Sequence, residues 1–339
     1  MKKFFLVLLL ILLCGCSKNN NSQVNILNWS SYIPDEVILE FEEVTGIKVN
    51  YSTYSSNEEL LAKVSSAKNG TYDLIFPSDY MIEIMKNRNM LEKIDKSLLN
   101  NYRYLNKSYL SLEYDFNNEY SLPFLAASTV ISINREEIKD NIDSYNDLLD
   151  TKYKNEIVLI DDQRIIIGMA LLANGFNMNS TNLDELKIAE GWLNDLKNNL
   201  KAYDSDSPKN FLISREASIA VLWNAEGALA SMENRSIENI YPKEGVALSV
   251  DNFAIPIGAK NKDEVYKFID YILEPNVMKK IIEAYPYKNV NSGTDELLGD
   301  EYKNNIASNI PDYVIKNGNF VKNIGENIKY YDKIWVNIK

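Results

Sequence analysis

The stretch VNILNWSSYIPDEVILEFEEVTGIKVNY, residues 24–51, carries the reading of the fold. Residues 24–27 are a short apolar run that ends at Asn28-Trp29-Ser30-Ser31-Tyr32. Pro34 then opens a helical pattern, with Val37, Ile38, Phe41 and Val44 on one face, and Gly46 stops it. Residues 47–51 read as the next strand. The order is therefore strand, loop, helix, strand, the unit from which parallel sheets are built.

Working outward, residues 57–68 form a helix with Leu60, Leu61 and Val64 inward, and 72–76 a third strand ended by Pro77-Ser78. After an irregular stretch, 121–133 is strand-like, 157–160 is a buried-type strand and 164–172 an apolar helix. Leu183, Leu186, Ala189, Trp192, Leu193, Leu196 and Leu200 mark an amphipathic helix before the strand 219–223. A short strand at 254–256 and the helical residues Val265, Phe268, Ile269 and Ile272 follow. A chain of 339 residues is longer than one hydrophobic core usually serves. The pattern predicts two α/β lobes, each a mostly parallel sheet flanked by helices, one of them completed by a late return of the chain.

Composition excludes much chemistry. The chain is 45% apolar and 25% charged, with a formal charge of −12, so no basic footprint for nucleic acid exists and cationic solutes are favoured over anionic ones. It contains no histidine, which removes Ser-His-Asp and Cys-His nucleophiles, HExxH zinc sites and imidazole acid-base catalysis. Both cysteines, Cys14 and Cys16, lie in the first sixteen residues, leaving the body without a disulfide or thiolate metal cluster. Ser65-Ser66-Ala67-Lys68 matches an SxxK spacing, but no Lys-Thr-Gly or Ser-Asp-Asn follows it.

Lys2 and Lys3 precede the apolar run 4–13 and then Cys14-Gly15-Cys16, the pattern of a secretory signal too short to span a membrane permanently. Residues 13–16 resemble the bacterial lipobox. That resemblance implies loss of residues 1–15, a lipid on Cys16, and a polar tether over 16–23.

Open α/β sheets bind ligands at the carboxyl ends of their strands. The loops there are 29–32, 78–80, 161–163, 223–226 and the region of Asp251. They hold aromatics, hydroxyls and acids, with a basic group only at the edge, Arg164. Carboxylates accept ammonium hydrogen bonds, and aromatic faces hold both a methylene chain and its charge, so these loops suit a positively charged ligand with methylene between its charges.

Asn28-Trp29-Ser30-Ser31-Tyr32, Thr45-Gly46-Ile47-Lys48-Val49, Tyr72-Asp73-Leu74, Pro77-Ser78, Trp223-Asn224, Pro242-Lys243-Glu244-Gly245 and Ala254-Ile255-Pro256 follow one another in an order that resembles the polyamine-binding proteins of ABC transporters, of the spermidine/putrescine type, over nearly all of residues 24–325. The resemblance implies a two-lobed periplasmic-binding-protein fold (type II). Lobe 1 would comprise 24–128 plus 254–290 and lobe 2 129–253 plus 291–339, with crossovers near Ser128 and Ala254. It implies a non-catalytic, membrane-anchored monomer that delivers a polyamine to an ABC permease, with no cofactor, metal or nucleic acid. Carried over residue by residue, Trp29, Ser30, Tyr32, Ser78 and Tyr80 line one wall; Asp162, Trp223 and Asp251 grip amines or flank the aliphatic chain. Tyr285 falls at the cleft edge, and Glu226 falls where putrescine-type members carry an acid.

The departures bear on the ligand. Ile165 stands where members usually carry a carboxylate; Ser31 replaces an acid, Ser249 an aromatic and Val321 a glutamine. One amine grip is missing, and Glu226 is the candidate to compensate. Two other readings remain: the same fold serving another small organic cation, and a glycoside hydrolase using two acids such as Asp162 and Asp251 about 5–10 Å apart. A module presenting its closed form to a membrane sensor would have the same sequence.

Overall fold

The computed structural model describes residues 22–339. The signal, Cys16 and most of the tether lie outside the described residues. No helix among those described is long and apolar enough to cross a membrane.

Strand β1 (Gln23–Trp29) pairs in parallel with β2 (Lys48–Tyr54) and β3 (Leu74–Ile75). Helix α1 (Asp35–Thr45) connects β1 to β2 and buries Val37 and Phe41. Gly46, in the left-handed region at φ 69°, donates its N–H to the Glu42 carbonyl and ends the helix. Val44, expected inward, is exposed, and nothing in the structure explains it. Helices α2 (Asn57–Ser66) and α3 (Asp79–Asn87) follow β2 and β3.

The lobes are joined through β4 (Ser121–Asn134), fourteen residues long and buried throughout. Residues Ser121–Ser128 pair with β9 (Ala247–Ala254), and from Thr129 onward the partners become β7 (Ile219–Trp223) and β8 (Ile237–Ile240). Beyond β7 the second sheet continues in parallel to β5 (Ile157–Leu159) and β6 (Leu200–Tyr203). Helices α4 (Gln163–Ala173) and α5 (Leu183–Leu196) pack with this sheet, α6 (Lys209–Ile213) precedes β7, and α7 (Asn224–Glu233) starts at its end. A Cβ on Gly227 would lie 2.6 Å from Asn239 Oδ1 and 2.8 Å from a Val130 methyl, so glycine lets α7 seat directly on β4 and β8.

The second crossover differs from the expectation. β9 lies between β3 and β4 of the first lobe, with Ala254 opposite both Ile75 and Ser121, so the chain returns between Ile240 and Ala247 rather than near Ala254. Asp251 and Ser249 therefore belong to lobe 1, and the strand expected at 254–256 is the tail of a longer one. Residues just past 290 also stay with lobe 1: Asn291 bridges Leu105, and Tyr302 packs in the same core as Phe41 and Phe268. That core is sealed by α8 (Lys262–Ile272) and α9 (Pro275–Ala284), with Phe268 edge-on to Phe41 at 5.0 Å. After β10 (Lys288–Asn289), α10 (Asp300–Asn304), α11 (Asp312–Asn317) and β11 (Asn319–Phe320), the final helix α12 (Ile328–Ile338) joins the second core through Tyr331, Ile334 and Ile338.

Candidate binding cleft

The carboxyl ends of β1, β3, β5, β6 and β7 face one another across the lobe boundary, because both sheets are parallel at these strands. Trp29, Ser30, Tyr32, Ser78 and Tyr80 line the cleft from lobe 1, and Asp162, Ser205 and Trp223 from lobe 2. The space between them is about 50 Å³, room for a slender chain or a few waters. Ser30 Oγ lies 3.4 Å from Asp206 Oδ1 across the opening.

Asp251 sits at the lobe 1 floor, 3% exposed. The Ser78 hydroxyl donates to Oδ1 at 2.6 Å, and the Tyr32 hydroxyl donates to Oδ2. Asn57 fixes Ser78 by accepting its N–H at 3.1 Å and donating Nδ2 to its Oγ at 3.0 Å. No salt bridge to Asp251 occurs among the described residues, and burial pushes its carboxyl up to about 6 despite both hydroxyl donors. Asp79 next to it is pushed well above the usual carboxylate range, chiefly by burial, which suppresses a competing charge. A carboxylate that is buried, oriented and without a cation is poised to accept an ammonium group.

The aromatic wall is held rigidly. Trp29 Nε1 donates to the Phe76 carbonyl at 3.0 Å, and its ring lies 4.6 Å from that of Tyr54. Tyr32 lies 4.7 Å from Tyr287, and Tyr287 lines the cleft. Trp223, half-buried at the end of β7, forms part of the opposite wall.

Asp162 precedes α4 and is its N-cap: Oδ1 accepts the N–H groups of Arg164 at 2.9 Å and Ile165 at 3.1 Å. Its carboxyl is raised to about 6 by burial first and by the charge of Glu58 second. Capping and lining the cleft are compatible, since the cap uses one oxygen. Arg164, 2% exposed, also borders the cleft. Its NH2 group donates to Asn179 Oδ1 and the Lys322 carbonyl, both at 3.0 Å, and its guanidinium lies 5.6 Å from the Tyr80 ring and 5.1 Å from that of Tyr331.

The cleft lining does not include Glu226 or Tyr285. Glu226 is in the first turn of α7, where burial raises its carboxyl while the charge and backbone N–H of Lys209 lower it. Tyr285 closes α9 and interacts with Ser31, itself exposed on the rim. Of the tyrosines in Tyr285-Pro286-Tyr287, the second reaches the cleft because β10 begins immediately after it and turns it toward Tyr32. Ile165, Ser249 and Val321 do line the cleft, so the departures from the family pattern concern its walls. Asn57, Ser205 and Tyr287 were not singled out from sequence; Asn57 opens a helix and Ser205 follows β6, positions whose strand-end context carries the signal.

Two α/β lobes sharing β4 and closing strand ends over an acidic, aromatic cleft define a two-lobed solute-binding protein of the periplasmic-binding-protein fold. Residues 36–309 match the family of bacterial extracellular solute-binding proteins, and the chain belongs to it. It is 34% identical over 322 residues to the spermidine/putrescine-binding periplasmic protein of Escherichia coli K12, covering 95% of this chain and 92% of that one. The structure of a putative spermidine/putrescine ABC transporter protein from Listeria monocytogenes superposes with a TM-score of 0.90 at 34% identity, over 94% of this chain and 98% of the other. A Treponema pallidum lipoprotein superposes at 0.83 with 26% identity, over 94% of this chain and 99% of the other. Proteins of this family bind solutes for transport and are not enzymes, which overturns the glycoside-hydrolase alternative.

Proposed function

We propose that this protein is the polyamine receptor of an ABC importer: it captures putrescine or spermidine between its lobes and delivers it to the membrane permease. The observation that carries this is Asp251, a buried carboxylate with two hydroxyl donors, no paired cation among the described residues, and aromatic walls above it. An amine at Asp251 and a second toward Asp162 would touch both lobes only when they are closed, so ligand shifts the population toward closure. The relatives from Escherichia coli and Listeria monocytogenes carry spermidine/putrescine in their names, which supports the same ligand class here. A lipid on Cys16 would hold the monomer at the cell membrane, and the Treponema relative is a lipoprotein.

A second reading, the same fold serving another small organic cation, is favoured by one observation: the cleft positions Ile165, Ser249 and Val321 are apolar or small. Radiolabelled putrescine and spermidine uptake in a deletion strain tests the transport reading. Uptake should be lost on deletion, restored by the wild-type chain, and not restored by Asp251→Asn. Unchanged uptake in the deletion strain would refute an importer role.

A further inference from the structure

The sequence leaves one amine grip unaccounted for, because Ile165 stands where a carboxylate is expected, and Glu226, in the first turn of α7, stands beside the charge of Lys209. The structure brings a different acid to that end. Glu58, in the first turn of α2 on lobe 1, accepts the Tyr80 hydroxyl at 3.1 Å. Glu58 lines not the cleft itself but an adjoining space of about 290 Å³, and Tyr80 and Arg164 border both. Across the boundary stands Asp162 of lobe 2, 8% exposed and lining the cleft. Both capping amides donate to its Oδ1, and Oδ2 accepts no hydrogen bond among the described residues.

We propose that Glu58 is the second carboxylate of the amine site at the Asp162 end, so that one ammonium group is held between a carboxylate from each lobe. This rests on the polyamine reading above. The charge arrangement supports it: two carboxylates and the Arg164 guanidinium leave one negative charge for one ammonium, and Asp251 leaves one for another. Without ligand the two facing acids repel and oppose closure; a cation between them reverses the sign. This bond spans the lobes, whereas Asp251, Ser78 and Tyr32 all belong to lobe 1, so the Glu58–Asp162 end is where binding energy acts on closure.

The bland alternative is that Glu58 merely favours the start of α2 through the helix dipole. Putrescine titrations of the wild type and of Glu58→Gln, Asp162→Asn, Asp251→Asn and the doubles Glu58→Gln/Asp162→Asn and Glu58→Gln/Asp251→Asn separate the two. Glutamine retains an acceptor for Tyr80, asparagine is a good N-cap, and melting curves confirm folding. Glu58→Gln is expected to weaken putrescine on the order of tenfold to a hundredfold, the range for a hydrogen bond to a charged group. Its effect should be strongly non-additive with Asp162→Asn and close to additive with Asp251→Asn, since the first pair shares an ammonium and the second does not. Glu59→Gln, whose carboxylate is paired with Lys63 at 2.7 Å, should bind as wild type. Wild-type affinity in Glu58→Gln, or additivity with Asp162→Asn, overturns the assignment while leaving the polyamine reading standing. A wild-type protein that binds no putrescine or spermidine overturns both.

Discussion

Replacing Asp251 with asparagine separates what this residue does for binding from what it costs the empty protein. Its carboxyl is held at about 6 against a reference of 3.8, with burial the largest cause. At 1.36 kcal/mol per pH unit, that difference means the charged form is disfavoured by about 3 kcal/mol inside the fold at neutral pH. Asparagine has the same shape, its Oδ1 accepts one hydroxyl and its Nδ2 donates to the other, so Ser78 and Tyr32 keep partners. The ligand-free variant should therefore be more stable than wild type at pH 7.5, by up to about 3 kcal/mol and a melting point a few degrees higher. Its polyamine affinity should fall at least tenfold to a hundredfold, from a lost charged hydrogen bond of about 1.5–3 kcal/mol. Calorimetric titration with differential scanning calorimetry on the same preparations measures both. A variant that melts lower than wild type without ligand, or that binds with undiminished affinity, would refute this account of Asp251.

Asp251 and Asp162 both titrate near pH 6 in the fold, above their unfolded values, so the folded protein binds more protons between about pH 4 and 6. Their contribution to ligand-free stability is therefore greatest at low pH and lost as pH rises through about 6, while ligand affinity rises over the same interval. No histidine adds to this; the buried carboxyls of Asp79 and Glu226 are raised too and move stability in the same direction, and parallel trends in stability and affinity between pH 5 and 7.5 would contradict the assignment. Tyr287→Ala should weaken binding several-fold and Tyr285→Ala should not, as titration of both will show. Ile165→Glu should recover putrescine affinity in the Glu58→Gln variant by returning a second carboxylate to the Asp162 end; no recovery would end the missing-grip argument. Intact mass of membrane-extracted protein should show a lipid on Cys16, and an unmodified cysteine there would remove the anchor.

The parallel strands other than β6 were legible because apolar runs alternate with helical stripes, and the strand ends named by that pattern include Trp29, Ser78, Tyr80, Asp162 and Trp223; Leu200, which continues the apolar stripe of α5, instead begins β6. What escaped is non-local. Nothing in residues 247–254 says that they pair with 121–128 rather than with the strands preceding them, so the chain return was placed too late and Asp251 in the wrong lobe. Glu226 has the composition of a cleft acid, yet its place in the first turn of α7 sets it beside Lys209. Glu58 carries the opposite lesson: in sequence it is an ordinary first-turn acid, and only the tertiary fold sets its charge against Asp162.

The most direct test is a titration of putrescine, spermidine, spermine and cadaverine into purified protein that has been unfolded and refolded to strip carried-over ligand. The account expects saturable binding by one or two of the four, lost in Asp251→Asn. Silence with all four would contradict the polyamine assignment and leave the cleft to another cation.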